Sequence, residues 1–260
     1  TTRDAMEEKA AEGNLTYFSE FSTEELEGKL RHLDEDDRTL LHIAAAAGKT
    51  ELVELFLANP KGQGLVNKTD EEGWAPLHSA ASCGHVPVVA LLLAAGADAN
   101  AANSGGQRAV HYAASKGHVE VLRKLIAGGA QVDARDRTKS TPLHRAASQG
   151  RLDVIALLLD GLDGPARDDE AGTGVEGKVG AGAEGKRKRP RCDVEATNGV
   201  GQTPLLVACE AGQNEAAVAL ARRGANTRAE DAEGNSVASL APKLVSVLQS
   251  IREGDDGMQF

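Results

Sequence analysis

The chain has 260 residues, is 41% hydrophobic but only 3% aromatic, and carries 29 Lys and Arg against 39 Asp and Glu, a formal charge of −10. That balance argues against nucleic-acid binding by bulk charge, and with so few aromatic rings a core must be built from Ala, Leu and Val, which implies helices in close contact. Cys83, Cys192 and Cys209 are odd in number and widely spaced, so a reducing compartment is expected rather than a disulfide framework. Uncharged stretches such as Val88–Ala95 fall far short of the ~18 apolar residues of a membrane helix. The start, Thr1-Thr2-Arg3-Asp4, shows no apolar signal region and no initiator Met, which reads as trimming. The expectation is a soluble intracellular protein with no membrane partner.

In chain order, residues 1–33 read as an N-terminal capping unit in which Ala10-Ala11-Glu12-Gly13-Asn14 echoes a pattern that recurs later. Residues 20–37 hold eight acids and two bases. Units follow at 34–69, 70–102 and 103–135, marked by His42, His78 and His111, and the next opens at residue 136 with His144. The marker spacings are 36, 33 and 33, and Leu206 takes the marker slot 62 residues after His144, one period plus a 29-residue insertion. The fifth unit is therefore 136–197 with the insertion at 162–190, whose Gly, Ala and charge cannot offset ordering entropy, so a disordered loop is expected. A sixth unit spans 198–230, a C-terminal capping unit 231–253 and a tail 254–260.

The recurring offsets have mechanical reasons. Thr141-Pro142 and Thr203-Pro204 place a hydroxyl at a helix N-cap and a ring at the first helical position. Ala80-Ala81, Ala113-Ala114 and Ala146-Ala147 let neighbouring helices approach closely. Gly84, Gly117, Gly150 and Gly212 permit the positive φ that ends a first helix, and Gly96, Gly129 and Gly224 stop a second. An Asp/Asn–x–x–Gly turn then makes a short finger. This 33-residue pattern resembles the ankyrin repeat, which implies an all-α repeat solenoid: a stack of paired antiparallel helices with short β-hairpin fingers, stable only through neighbours.

No constellation reads as an active site, and neither an enzyme nor a cofactor is expected. A solenoid spreads the four marker histidines along its axis, one per layer, which suits structural histidines bonded to the neighbouring finger rather than metal ligands. His85 and His118 read the same way. Cys209 lacks a nearby base, since Leu206 replaces the marker histidine, and reads as a small core residue. Lys186-Arg187-Lys188-Arg189-Pro190-Arg191 is the one basic run, either a nuclear-import signal or a solubilising loop end. A cytoplasmic and nuclear protein is expected.

Binding must then come from the variable offsets of the concave face, formed by finger tips and inner helices. These are Glu35, Asp36 and Arg38, then Glu71, Glu72 and Trp74, followed by Ser104, Gln107, Ser115 and Lys116. Arg137, Ser140 and Gln149 come next, and Glu210 and Glu233 continue the row. The face is acidic at its N-terminal end with Arg38 and Lys116 as isolated bases, which suits a protein partner presenting both signs. Trp74 is either an interface anchor or a packing residue for the adjacent finger.

A sharper resemblance rests on Asp37-Arg38-Thr39 before Leu41-His42, Gly73–His78 with Ala80-Ala81-Ser82, His111–Lys116, His144–Ala147 and Pro204–Cys209, together with the seven-unit count. In these the chain resembles the gankyrin family, the proteasome non-ATPase regulatory subunit 10. The resemblance implies a monomeric, non-enzymatic assembly chaperone that cups the C-terminal domain of one base ATPase of the proteasome regulatory particle. It assigns Arg38 and Lys116 to acids on that domain, and Asp36 and Glu71 to arginines. Val207–Ala211 lacks the leucine and final acid of the family's LxCxE-like segment, and the insertion is a second departure. The alternative is an ankyrin scaffold or inhibitor acting on a kinase or transcription regulator.

Overall fold

A computed structural model describes residues 2–161 and 192–255. The expected disordered insertion 162–190, the basic run Lys186–Arg191 and the end of the tail lie outside the described residues.

The described residues are mainly helical. Three helices open the chain, α1 Thr2–Glu12, α2 Leu15–Ser19 and α3 Thr23–Leu30. Then come α4 Leu40–Ala46 and α5 Thr50–Ala58, with the short α6 Pro60–Gln63. The pairs α7 Pro76–Cys83 and α8 Val86–Ala94, and α9 Ala109–Lys116 and α10 Val119–Ala127, follow. The pair α11 Pro142–Ser148 and α12 Leu152–Asp160 precedes the undescribed insertion. After it come α13 Pro204–Glu210, α14 Asn214–Ala221, α15 Val237–Leu240, a 3₁₀ turn Pro242–Leu244 and α16 Val245–Asp255.

Inner helices pack in sequence, α1 on α4, then α7, α9, α11, α13 and α15, while α2, α5, α8, α10, α12, α14 and α16 form a second row. The stack runs unbroken across the insertion, because α11 lies on α13 and α12 on α14. Cys192 resumes the pattern at once, its amide bonding Leu158 O (3.5 Å) and its thiol Val132 O (3.6 Å). The small side chains expected between inner helices are there. Ala44, Ala45, Ala80, Ala81, Ala113, Ala114, Ala146 and Ala147 are fully buried, and Leu52, Leu92, Leu122, Leu125 and Ile155 fill the space beneath.

Each inner helix begins where its sequence dictates. Thr39, Thr141 and Thr203 accept the amides of His42, His144 and Leu206, capping α4, α11 and α13. Gly84 and Gly117 close α7 and α9 at φ 83 and 84. A second constraint acts at Gly84, where an added Cβ would meet the His118 ring at 2.8 Å. His118 Nε2 bonds Ser82 O (3.1 Å), as His85 Nε2 bonds Ala46 O (2.9 Å) and Arg151 Nε bonds Ser115 O (3.0 Å). The residue after the glycine thus reaches back over the preceding layer, and at Gly84 the His118 ring leaves no room for a side chain.

The fingers are tighter than β-hairpins. In each, the carboxylate or amide of the first residue takes backbone N–H groups of the loop, as Asn103 Oδ1 does from Gly105 and Gln107 (3.0 and 2.9 Å). One backbone bond then closes the loop, Asp70 N to Trp74 O and Asn103 N to Gln107 O (both 2.9 Å). Among the described residues no strand forms; Leu33–Thr39 and Glu230–Ser236 are isolated antiparallel bridges. The fingers instead bond to one another: Glu71 N to Asp36 O, Ser104 N to Glu72 O, Arg137 N to Gly105 O, Gly199 N to Thr138 O and Ala232 N to Val200 O, at 2.7–3.1 Å. This ladder fixes the spacing of the tips.

Candidate protein-binding face

The marker histidines are structural. In His42, His78, His111 and His144 the Nδ1 accepts a backbone N–H at its own helix start, from Thr39, Ala75, Arg108 and Thr141 (3.0–3.2 Å). The Nε2 donates toward the next layer, to Trp74 O, Ala101 O, Ala134 O and Gln202 O (2.9–3.0 Å). An imidazole that accepts at one nitrogen and donates at the other is neutral. Burial also holds all four below the ordinary imidazole pKa. Both nitrogens are engaged, and among the described residues no three His, Cys, Asp or Glu converge as metal ligands.

Two of the three cysteines are buried, with thiols that resist ionisation. Cys209 lies in the core and its thiol is pushed up to about 11 by burial. Cys192 is raised further by burial and the nearby Asp133. Cys83 is exposed on the inner-helix side.

Five of the expected partner residues do come together. Asp36, Arg38, Glu71, Glu72 and Trp74, with Asp70, Ser79, Ser82 and Cys83, line an open hollow of about 410 Å³ between the first two fingers and the inner helices. Arg38 and Ala46 also border a second hollow of about 610 Å³ toward α1, walled by Glu7, Glu8, Ala11, Ile43 and Ala47. Asp36, Glu71 and Glu72 are exposed.

Arg38 is not the isolated base its position in the chain implied. Its Nε donates to Asp34 Oδ2 (2.7 Å) and its NH2 lies 3.4 Å from Asp36 Oδ2. Asp34 sits four residues earlier, at the root of the same loop. Burial alone would raise the Asp34 carboxyl, but the amides of Arg38 and Asp36 and the guanidinium hold it below the carboxylate norm.

Trp74 is a packing residue and a surface at once. It is half-buried, and its ring stands 4.4 Å from that of Tyr112, centroid to centroid, in the next layer. The Tyr112 hydroxyl donates to Gln107 Oε1 (2.7 Å) and accepts from Asn103 Nδ2 (2.7 Å), so Gln107 is committed within the chain. Ser140, expected on the face, is buried and bonded to Asp136. The others lie in later layers: Ser115 half-exposed and Lys116 exposed on α9, Arg137 at the fourth finger tip, and Gln149 capping α11.

Sequence reading missed the slot that follows each marker histidine. Ile43, Ser79, Tyr112, Arg145 and Val207 form this row on the inner helices, none of them fully buried. Arg145 Nε donates to Asp136 Oδ2 (3.1 Å), whose side chain is only 1% exposed, and its NH2 bonds the same oxygen. Burial would raise Asp136, yet Thr138 and Arg145 hold it low. The 33-residue period implies that these five share a slot, but it does not say which of them face a partner.

The family model for Ankyrin repeats (3 copies) matches residues 10–103 and 96–168, together more than half of the chain. The chain belongs to the ankyrin-repeat family. No curated protein matches it. Ankyrin repeats are protein-interaction modules, so the family implies a protein-binding scaffold. The helices α13 and α14 beyond the matched residues repeat the same cap, alanine and glycine pattern.

Proposed function

We propose that the chain is a non-enzymatic assembly chaperone that holds a folded partner domain against the fingers and inner helices. On this reading the partner is the C-terminal domain of a base ATPase of the proteasome regulatory particle. The observation that carries the binding role is the open hollow in which Asp36, Arg38, Glu71, Glu72 and Trp74 meet, since tryptophan and arginine are the residues enriched among interface anchors. The choice of partner rests on the gankyrin-like segments, chiefly His111–Lys116 and His144–Ala147. The protein then works as a monomer in cytoplasm and nucleus, with Lys186–Arg191 as import signal; unchanged nuclear levels after deletion of those six residues would remove that part.

Affinity purification tests the role. A chaperone recovers base subunits without complete proteasomes, and Arg38→Glu with Lys116→Glu loses them while the array stays folded. Retained capture by that double variant refutes the residue assignment. One observation favours a second reading, a scaffold or inhibitor of another protein such as a kinase or transcription regulator. Arg38 is already held by Asp34 and Asp36 and has less charge to offer an acidic partner. Recovery of such a protein in place of base subunits would establish it.

A further inference from the structure

Among the described residues six fingers share one backbone shape, and its fourth slot lies in the left-handed region. Four fingers fill it with glycine, Gly73, Gly106, Gly201 and Gly234, at φ 73–82. The first and fourth fingers hold Asp37 and Lys139 there, at φ 62 and 60. Glycine adopts this region without penalty and a side chain does not, with Asp tolerated better than Lys. The slot is also cramped, since at Gly73 and Gly106 an added Cβ would come within 2.9 Å of the next finger's amide.

Neither charge is used among the described residues. The Asp37 and Lys139 side chains are exposed and make no hydrogen bond or ion pair among the described residues. They carry opposite signs, and each joins like charges. Glu35 and Asp36 share the first finger, with Glu71 and Glu72 on the second, while Arg137 stands beside Lys139 on the fourth. The third finger between them is Ser104-Gly105, without charge. A backbone cost accepted twice, with opposite charges and no partner for either among the described residues, points to a role outside the fold.

We propose that the finger edge is a polarised docking strip on which Asp37 and Lys139 set the direction of a partner polypeptide, its basic stretch over the first two fingers and its acidic stretch over the fourth. This deepens the protein-binding reading and rests on it, but does not depend on which protein binds. Helices packed ~8–10 Å apart put the first and fourth fingers ~24–30 Å apart, which an extended chain spans in about eight residues.

The test uses synthetic peptides of four lysines, an eight-residue Gly-Ser spacer and four glutamates, in both chain directions, with a nitroxide at one end or the other. Trp74, the only tryptophan, reports from the end of the second finger loop. Low salt is used because such contacts are screened. The expected result is quenching of Trp74 by a nitroxide on the lysine end and little from the glutamate end. Asp37→Gly with Lys139→Gly should weaken binding about fivefold or more, the scale of two exposed charge contacts, and raise the melting temperature. Equal quenching from both ends, wild-type affinity of the glycine pair, or a lower melting temperature of that pair would each overturn the inference. Ordered peptide binding without capture of the ATPase domain would sink the chaperone reading and leave this one standing. Capture of that domain with no peptide polarity would do the reverse.

Discussion

At the seam between layers, His42, His78, His111 and His144 make the same two bonds four times over, while at the finger tips one slot holds Asp37, Gly73, Gly106, Lys139, Gly201 or Gly234. The seam is buried, neutral and fully bonded; the tips are exposed and several of their charges have no partner among the described residues. Repetition therefore marks the positions that carry stability, because each layer must meet the next in the same way. Variation marks the positions free to recognise something else. A substitution in one region should leave the property of the other untouched.

The largest expected effect is in the seam's core. Leu122 is fully buried, and Leu122→Ala should cost ~2–5 kcal/mol, read as a lower urea midpoint, with the finger hollow still intact. A cost below ~1 kcal/mol would mean that the layers are not tightly packed.

Acid should act on the seam next. The four marker histidines have folded pKa values below the unfolded ~6.5, so the unfolded chain takes up protons that the folded chain refuses. Their contribution is complete above pH ~6.5 and is lost as pH falls from there toward the folded values, by up to ~1.4 kcal/mol per histidine per pH unit. Around His42, Asp70 and Asp34 favour the charged ring and Arg38 opposes it, while at His111 and His144 Asp136 and Arg145 play these parts. Chemical denaturation between pH 7.5 and 5.5 should show the loss, and a variant with His111→Gln a shallower slope. A flat profile would contradict neutral, buried imidazoles.

Smaller effects separate cap from tip. Thr203→Ala removes the hydroxyl that caps α13 and should cost ~1 kcal/mol. Glu71→Ala and Glu72→Ala, at a tip, should change stability by no more than ~0.5 kcal/mol while weakening partner capture. If they unfold the array, the division between seam and tip fails.

The repeat made most of the seam legible. A period of 33 predicts which residues share a slot, and the slot's chemistry follows from its type: threonine before a helix, glycine after it, alanine between helices. The histidine bonds to the next finger were legible for the same reason. The tips were not, because a slot does not say whether its charge is already used. Arg38 and Asp34 are four apart across a loop, a spacing that on a sequence alone describes an ordinary charged turn. Trp74 and Tyr112 meet only because the layers stack with the offset that the finger ladder fixes. Asp37 and Lys139 stand out only once the backbone angle of their slot is known.

Hydrogen exchange of the full chain, with and without its captured partner, tests the central claim most directly. The division of labour predicts new protection in the finger loops 34–38, 70–74 and 136–140, with α8 and α10 unchanged. Protection confined to α8 and α10, with the fingers still exchanging freely, would contradict it.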